Sequence, residues 1–105
     1  MTQQEIHKKI RDTVDSHLPG SRLFLFGSRA RGDYQRGSDY DLLIITPNHY
    51  TDNEKMDWLT LVAKSLIASI KAPFDVFMND ENEVIENQLL PGHIIRSALK
   101  EGIAI

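Results

Sequence analysis

Three short apolar runs, set between segments with helical spacing, leave this chain few folds to choose from. Residues 22–26 (RLFLF), 42–45 (LLII) and 74–78 (FDVFM) are too short for core helices. They suit strands covered on both faces, where near-continuous apolar runs replace strict alternation. The segments between them read differently. Ile6, Ile10, Val14 and Leu18 recur every four residues, which keeps them on one helical face. Thr2 and Glu5 have capping-box spacing at the start, and Pro19-Gly20 closes the segment. Thr51 and Glu54 repeat that spacing ahead of a second long helix, whose apolar stripe is read as Met56, Leu59, Ala63, Leu66, Ile67 and Ile70.

The remaining segments complete the order. Residues 29–31 follow the first run as one or two helical turns, and 32–38 form a polar loop. The second strand is expected over 39–45. Its side chains divide between two faces: Asp39, Asp41, Leu43 and Ile45 on one, Tyr40, Leu42 and Ile44 on the other. Helices are expected over 80–90 and 93–101, broken by Pro91-Gly92 and stopped by Gly102, with a short edge strand at 103–105. Strands alternating with helices predict an α/β sheet with helices packed against it, and 105 residues suit one domain, residues 1–105.

Composition narrows the partners. A net charge of −3 argues against nucleic acid as the main partner, because phosphate contacts favour a basic surplus. With no cysteine there is neither a disulfide framework nor a thiolate zinc site. The apolar runs are far too short to span a membrane, and the polar first ten residues lack a signal-peptide core. A cytoplasmic, soluble protein is expected.

The informative stretch is GSRARGDYQRGSDYD, residues 27–41. Gly27-Ser28 stands between a strand and a helix start. Helix-start amides favour anions, glycine permits close approach and Ser28 adds a hydroxyl, so the pair makes a small phosphate cradle. Alone, the pair reads more simply as an ordinary turn with Ser28 as N-cap. Asp39 and Asp41, two apart on a strand, point to one side about 6–7 Å apart. A divalent cation between them relieves their repulsion, and Mg²⁺ takes carboxylate oxygens together with substrate phosphates. Alone, they read more simply as two solvent-facing acids at a strand start. Asp75 lies between Phe74 and Val76, where an unpaired carboxylate is costly; an arginine partner is the alternative explanation.

Together these residues form a more specific pattern. Gly27-Ser28, ten residues, then Asp39-x-Asp41, with Asp75 on a later strand, resembles the nucleotidyltransferase superfamily of DNA polymerase beta. The longer GSRARGDYQRGSDYDLLI is similar to the minimal nucleotidyltransferase (MNT) group, patterned G-S-x-A-R-G and then S-D-x-D-L. Gly27, Ser28, Ala30, Arg31, Gly32, Ser38, Asp39, Asp41 and Leu42 fill every fixed position.

The resemblance implies a small mixed sheet flanked by helices, the polymerase beta-like nucleotidyltransferase fold. It implies that Asp39 and Asp41 hold two Mg²⁺ ions, with Asp75 as third metal ligand, general base, or both. Gly27 and Ser28 would grip the triphosphate of ATP, and Arg29 and Arg31 are candidate phosphate contacts. Arg31 is equally a structural ion-pair residue, and Arg36 is expected to be solvated. Because the chain ends soon after these motifs, a partner is expected to supply the acceptor. Members of the MNT group often pair as antitoxins with a helical HEPN toxin and transfer AMP to its tyrosine. Two other readings stay open: a module that neutralises a partner by contact alone, and an enzyme modifying a small molecule. His7, His17, His49 and His93 share no ligand-like spacing, and His7 and His17 are expected at the surface. Trp58, off the expected stripe, is either half-buried core or part of a partner surface.

Overall fold

In the computed structural model, residues 1–33, 35 and 37–105 are described. Arg36 therefore lies outside the described residues.

Both long helices begin as expected. Helix α1 (Gln3–His17) is capped by Thr2 and helix α3 (Asp52–Ile70) by Thr51, each through a complete capping box with the glutamate three residues on. Strands β1 (Arg22–Phe26), β2 (Tyr40–Thr46), β3 (Phe74–Asp80) and β4 (Ile103–Ala104) form one sheet in the order β3-β2-β1-β4. Strand β1 pairs antiparallel with β2 and β4, whereas β2 and β3 are parallel. The sheet is thus mixed, as expected. Helix α2 (Ser28–Arg31) is one turn after β1, and α4 (Glu81–Asn87) and α5 (Ile94–Glu101) lie between β3 and β4.

Alternation along the strands divides the core. Leu23, Leu25, Tyr40, Leu42, Ile44 and Met78 face α1 and α3, meeting Ile10, Val14, Leu18, Val62, Leu66 and Ile70. Phe26, Leu43 and Ile45 face the other way, toward Val84 of α4 and Ile95 and Ala98 of α5. Each fully buried aliphatic side chain contributes about 1.5–3 kcal/mol of transfer free energy, so both layers hold the sheet. Among the described residues, no helix is long and apolar enough to cross a membrane.

Several boundaries differ from expectation. Strand β2 begins at Tyr40, leaving Asp39 just ahead of the ladder, whose pairing with β1 ends at Phe26↔Asp41. Strand β3 runs two residues past Met78, because parallel pairing continues through Thr46↔Asp80. Helix α4 is shorter than residues 80–90. Asp80 caps it from outside, and the Asn87 side chain donates back to the Glu83 carbonyl in its last turn. The stripe of α3 is also corrected. Met56 is 67% and Ile67 44% exposed, while Val62 is fully buried. Contacts with α1 and β3 select the i, i+4 series Val62, Leu66 and Ile70 from a helix with apolar residues all round. Trp58 is half-buried against that core and meets Tyr50 edge-on. His7 and His17 are half-buried rather than surface residues. His17 Nε2 reaches Ser65 Oγ at 3.1 Å, joining α1 to α3. Gly102 does stop α5, but in an extended conformation (φ −77°, ψ 161°); a Cβ there would lie 2.2 Å from the Ala98 carbonyl oxygen.

Candidate active site

The chemistry-bearing residues gather where β1 ends and β2 and β3 begin. Asp41 stands opposite Phe26 on β1 and opposite Asp75 on β3. Partners across a ladder share a face, and neighbouring strands are about 4.8 Å apart. Asp41 and Asp75 are therefore side by side on the face that continues into Leu43 and Ile45. The strand pairing brings together two carboxylates separated by most of an αβ unit in sequence.

Electrostatics report the same convergence. The Asp41 carboxyl is pushed above its ordinary value, first by partial burial, then by the charges of Asp75 and Asp39, with Arg31 pulling the other way. Asp39 and Asp75 are exposed and Asp41 is half-buried, so the three line an open rim. No arginine or lysine is paired with any of the three among the described residues. Among the described residues, then, no arginine pairs with Asp75.

Gly27 is essential to this geometry. Its φ is +72°, a region that costs an L side chain strain, and a Cβ there would meet Asp41 Oδ2 at 2.1 Å. The backbone at the end of β1 therefore runs directly against the central carboxylate. Gly27 then caps α2: its carbonyl accepts from the amides of Ala30 and Arg31, at 3.1 Å each. Ser28, half-buried, opens the turn. The first amides of a helix have no intrahelical acceptor, and here they lie beside the acidic rim.

The two arginines of the turn differ. Arg31 is half-exposed and pairs with Asp33 at 3.2 Å and, at 3.9 Å, with Glu101. Such exposed pairs are worth little. Arg29 donates twice to the Ser38 carbonyl, from Nε at 3.2 Å and Nη2 at 3.0 Å, and its guanidinium lies 4.3 Å from the centre of the Tyr40 ring.

A second cluster escaped sequence reasoning. His49, Asp80 and Glu83 bring their ligating atoms within 4.8 Å of one another; the three rim acids do not close to that distance as a set. This cluster is internally satisfied. Asp80 accepts from the Glu83 amide and pairs with His49 at 2.6 Å, while the Glu83 carboxylate accepts from the Asp80 amide and pairs with Lys55 at 2.5 Å. The Asp80-x-x-Glu83 capping spacing was a local signal; the long-range approach of His49 was not.

Do the rim residues suit magnesium? The donor set is all carboxylate oxygen, as a hard cation requires, and its central member carries repulsion that a cation would relieve. The set fits on the chemistry of its donors, while its three carboxylates stand wider apart than the ligating atoms of the His49 cluster.

Comparisons with known proteins bear on the family and the fold. A family model described as nucleotidyltransferase domain matches residues 7–105. No curated protein matches the sequence. Among solved structures, the chain is similar to a candidate minimal nucleotidyltransferase at 19% identity and TM-score 0.67, covering 100% of this chain and 97% of that one. It is similar to a candidate nucleotidyltransferase from Sulfolobus solfataricus at 25% identity and TM-score 0.61, covering 95% and 76%. A third similarity is to the complex of a tri-AMPylated Shewanella oneidensis HEPN toxin with an MNT antitoxin, at 16% identity and TM-score 0.62, covering 98% and 71%. With the domain match running over nearly the whole length and the acidic rim in place, the chain belongs to the nucleotidyltransferase domain family.

Proposed function

We propose that this protein transfers AMP from ATP to a hydroxyl acceptor, in a Mg²⁺-dependent reaction, and that the acceptor is a tyrosine of a helical HEPN-type partner that the transfer neutralises. The observation that carries the reading is the register Asp41↔Asp75 beside Gly27, which sets carboxylates against a helix-start turn. Bound Mg²⁺ would neutralise triphosphate charge and make the attacking hydroxyl more acidic. Asp39, Asp41 and Asp75 are its ligands in this reading. Gly27 and Ser28 hold the β and γ phosphates through backbone amides and the Ser28 hydroxyl. Arg31 exchanges its exposed carboxylate partners for a phosphate oxygen, a match suited to its guanidinium fork.

The bond changes are simple. The acceptor oxygen attacks the α-phosphorus in line, a new O–P bond forms, and the bridging bond to the β-phosphate breaks. Pyrophosphate leaves with the electron pair, and the acceptor's proton passes to Asp75 or to water. Rate then comes from positioning and charge stabilisation. The open rim favours an acceptor presented by another macromolecule, since Asp39 and Asp75 face solvent. That supports a protein acceptor over a small molecule, which would call for an enclosing pocket.

Labelled ATP, Mg²⁺ and a candidate helical HEPN-type partner form the test. Label is expected on a partner tyrosine, and Asp39→Ala with Asp41→Ala abolishes it. Persistent labelling in that double variant overturns the metal-site assignment. Neutralisation surviving the double change without label favours the contact-only reading.

A further inference from the structure

Behind the acidic rim, on the opposite face of the sheet, three side chains stack in a row. The guanidinium of Arg29 covers the Tyr40 ring at 4.3 Å. The Tyr40 ring lies 4.9 Å from that of Phe74, tilted by only 17°. Each member adjoins a residue of the proposed site. Arg29 follows Ser28, Tyr40 separates Asp39 from Asp41, and Phe74 precedes Asp75. Two backbone ties reinforce the row: Arg29 holds the Ser38 carbonyl, immediately before Asp39, and the Tyr40 amide donates to the Pro73 carbonyl at 3.0 Å.

We propose that Arg29, Tyr40 and Phe74 are positioning residues, a stack that locks α2, β2 and β3 together and so sets the spacing of Asp39, Asp41 and Asp75. The proposal rests on the metal-site reading above for its functional meaning. It assigns Arg29 a role distinct from direct phosphate contact. Alternation supplies the reason: side chains at 40 and 74 point away from the rim when those at 39, 41 and 75 form it. Guanidinium-over-ring and ring-over-ring contacts are directional, so they specify relative placement as well as adding stability.

The test compares Arg29→Met, Tyr40→Leu, their combination and Tyr40→Phe with the parent chain. Mn²⁺ binding is read by electron paramagnetic resonance, inorganic triphosphate binding by calorimetry without metal, and exchange of the Tyr40 amide hydrogen by NMR. Arg29→Met and Tyr40→Leu are each expected to weaken Mn²⁺ binding about five- to tenfold, the scale of one such contact, with the double variant no weaker than either alone. Tyr40→Phe, which keeps the ring, binds Mn²⁺ like the parent. Triphosphate affinity stays unchanged in Arg29→Met, while its Tyr40 amide exchanges about tenfold faster, as loosening of that contact predicts. Arg29→Met that weakens triphosphate binding but spares Mn²⁺ overturns the proposal in favour of direct phosphate contact. Fully additive losses, or an unchanged Tyr40 amide, also overturn it. A parent chain that binds no Mn²⁺ removes the metal-site reading instead, and amide exchange still decides whether the stack ties the strands.

Discussion

The parallel strands β2 and β3 carry acids at both ends, and the two ends treat them oppositely. At the beginning, Asp41 lies beside Asp75 and near Asp39, and partial burial, followed by repulsion from those two acids, raises its affinity for a proton. At the other end, Asp80 faces Thr46, is almost fully buried, and is bound by the Glu83 amide and His49. Those bonds hold its carboxyl below the ordinary range, the Glu83 amide contributing most. The same residue type is a structural cap at one end of this strand pair and a charge crowded by other acids at the other. A charge that the fold leaves uncompensated is where a ligand gains most by binding.

The strongest way to break this contrast is to neutralise the rim. Asp39→Asn with Asp41→Asn should reduce nucleotidyl transfer at least about a thousandfold, since metal-ion charge stabilisation is worth several kcal/mol. Thermal unfolding should show no loss of stability, because repulsion is removed. A destabilised double variant would mean that the rim acids, like Asp80, are structural.

Gly27→Ala comes next. The added methyl would overlap the Asp41 carboxylate at a positive φ, and about 1–3 kcal/mol of strain is expected in urea unfolding. Mn²⁺ binding should fail with it. The corresponding assault on the other end, Asp80→Ala, removes a buried cap and should cost about 1–2 kcal/mol while leaving Mn²⁺ binding intact. Loss of Mn²⁺ binding in Asp80→Ala would show that the two ends are coupled rather than separate.

The smallest effect is in pH. The hydrogen bond to Asp80 raises His49 above its ordinary 6.5. Protonated His49 therefore contributes stability that is fully present below 6.5 and is lost as pH rises through the higher folded value. His49→Gln should be less stable than the parent at pH 6, and the difference should vanish in mild alkali. Asp41 behaves oppositely to Asp80 in acid. With its folded value raised above 3.8, Asp41 carries a penalty at neutral pH that fades as pH falls through that value. Asp80 carries a contribution present above 3.8 and lost below it. Denaturation of Asp41→Asn and the parent from pH 7 to 3 should thus show a stabilising difference that shrinks with acid.

Much of this was legible in sequence because the signals are local. Capping boxes at Thr2 and Thr51 act within four residues, strand alternation within two, and Gly27-Ser28 through Asp41 spans a single turn and loop. The stripe of α3 was misread because helical periodicity alone does not choose between competing apolar faces; packing against α1 and β3 does. The capping spacing of Asp80 and Glu83 was readable, but not the approach of His49 across 31 residues.

By itself, then, the chain's order of residues determined where helices start, which strand face bears the acids and which glycine stands next to them. These follow from backbone dihedrals and side-chain alternation, which neighbours in sequence impose. Only the tertiary structure decided that Asp75 would lie beside Asp41, that Tyr40 would stack between Arg29 and Phe74, and that Asp80 would be hydrogen-bonded by Glu83 and His49 while Asp41 stands among other acids. Parallel pairing joins segments distant in sequence, and its register is set by burying both faces of the sheet at once, which no local pattern encodes.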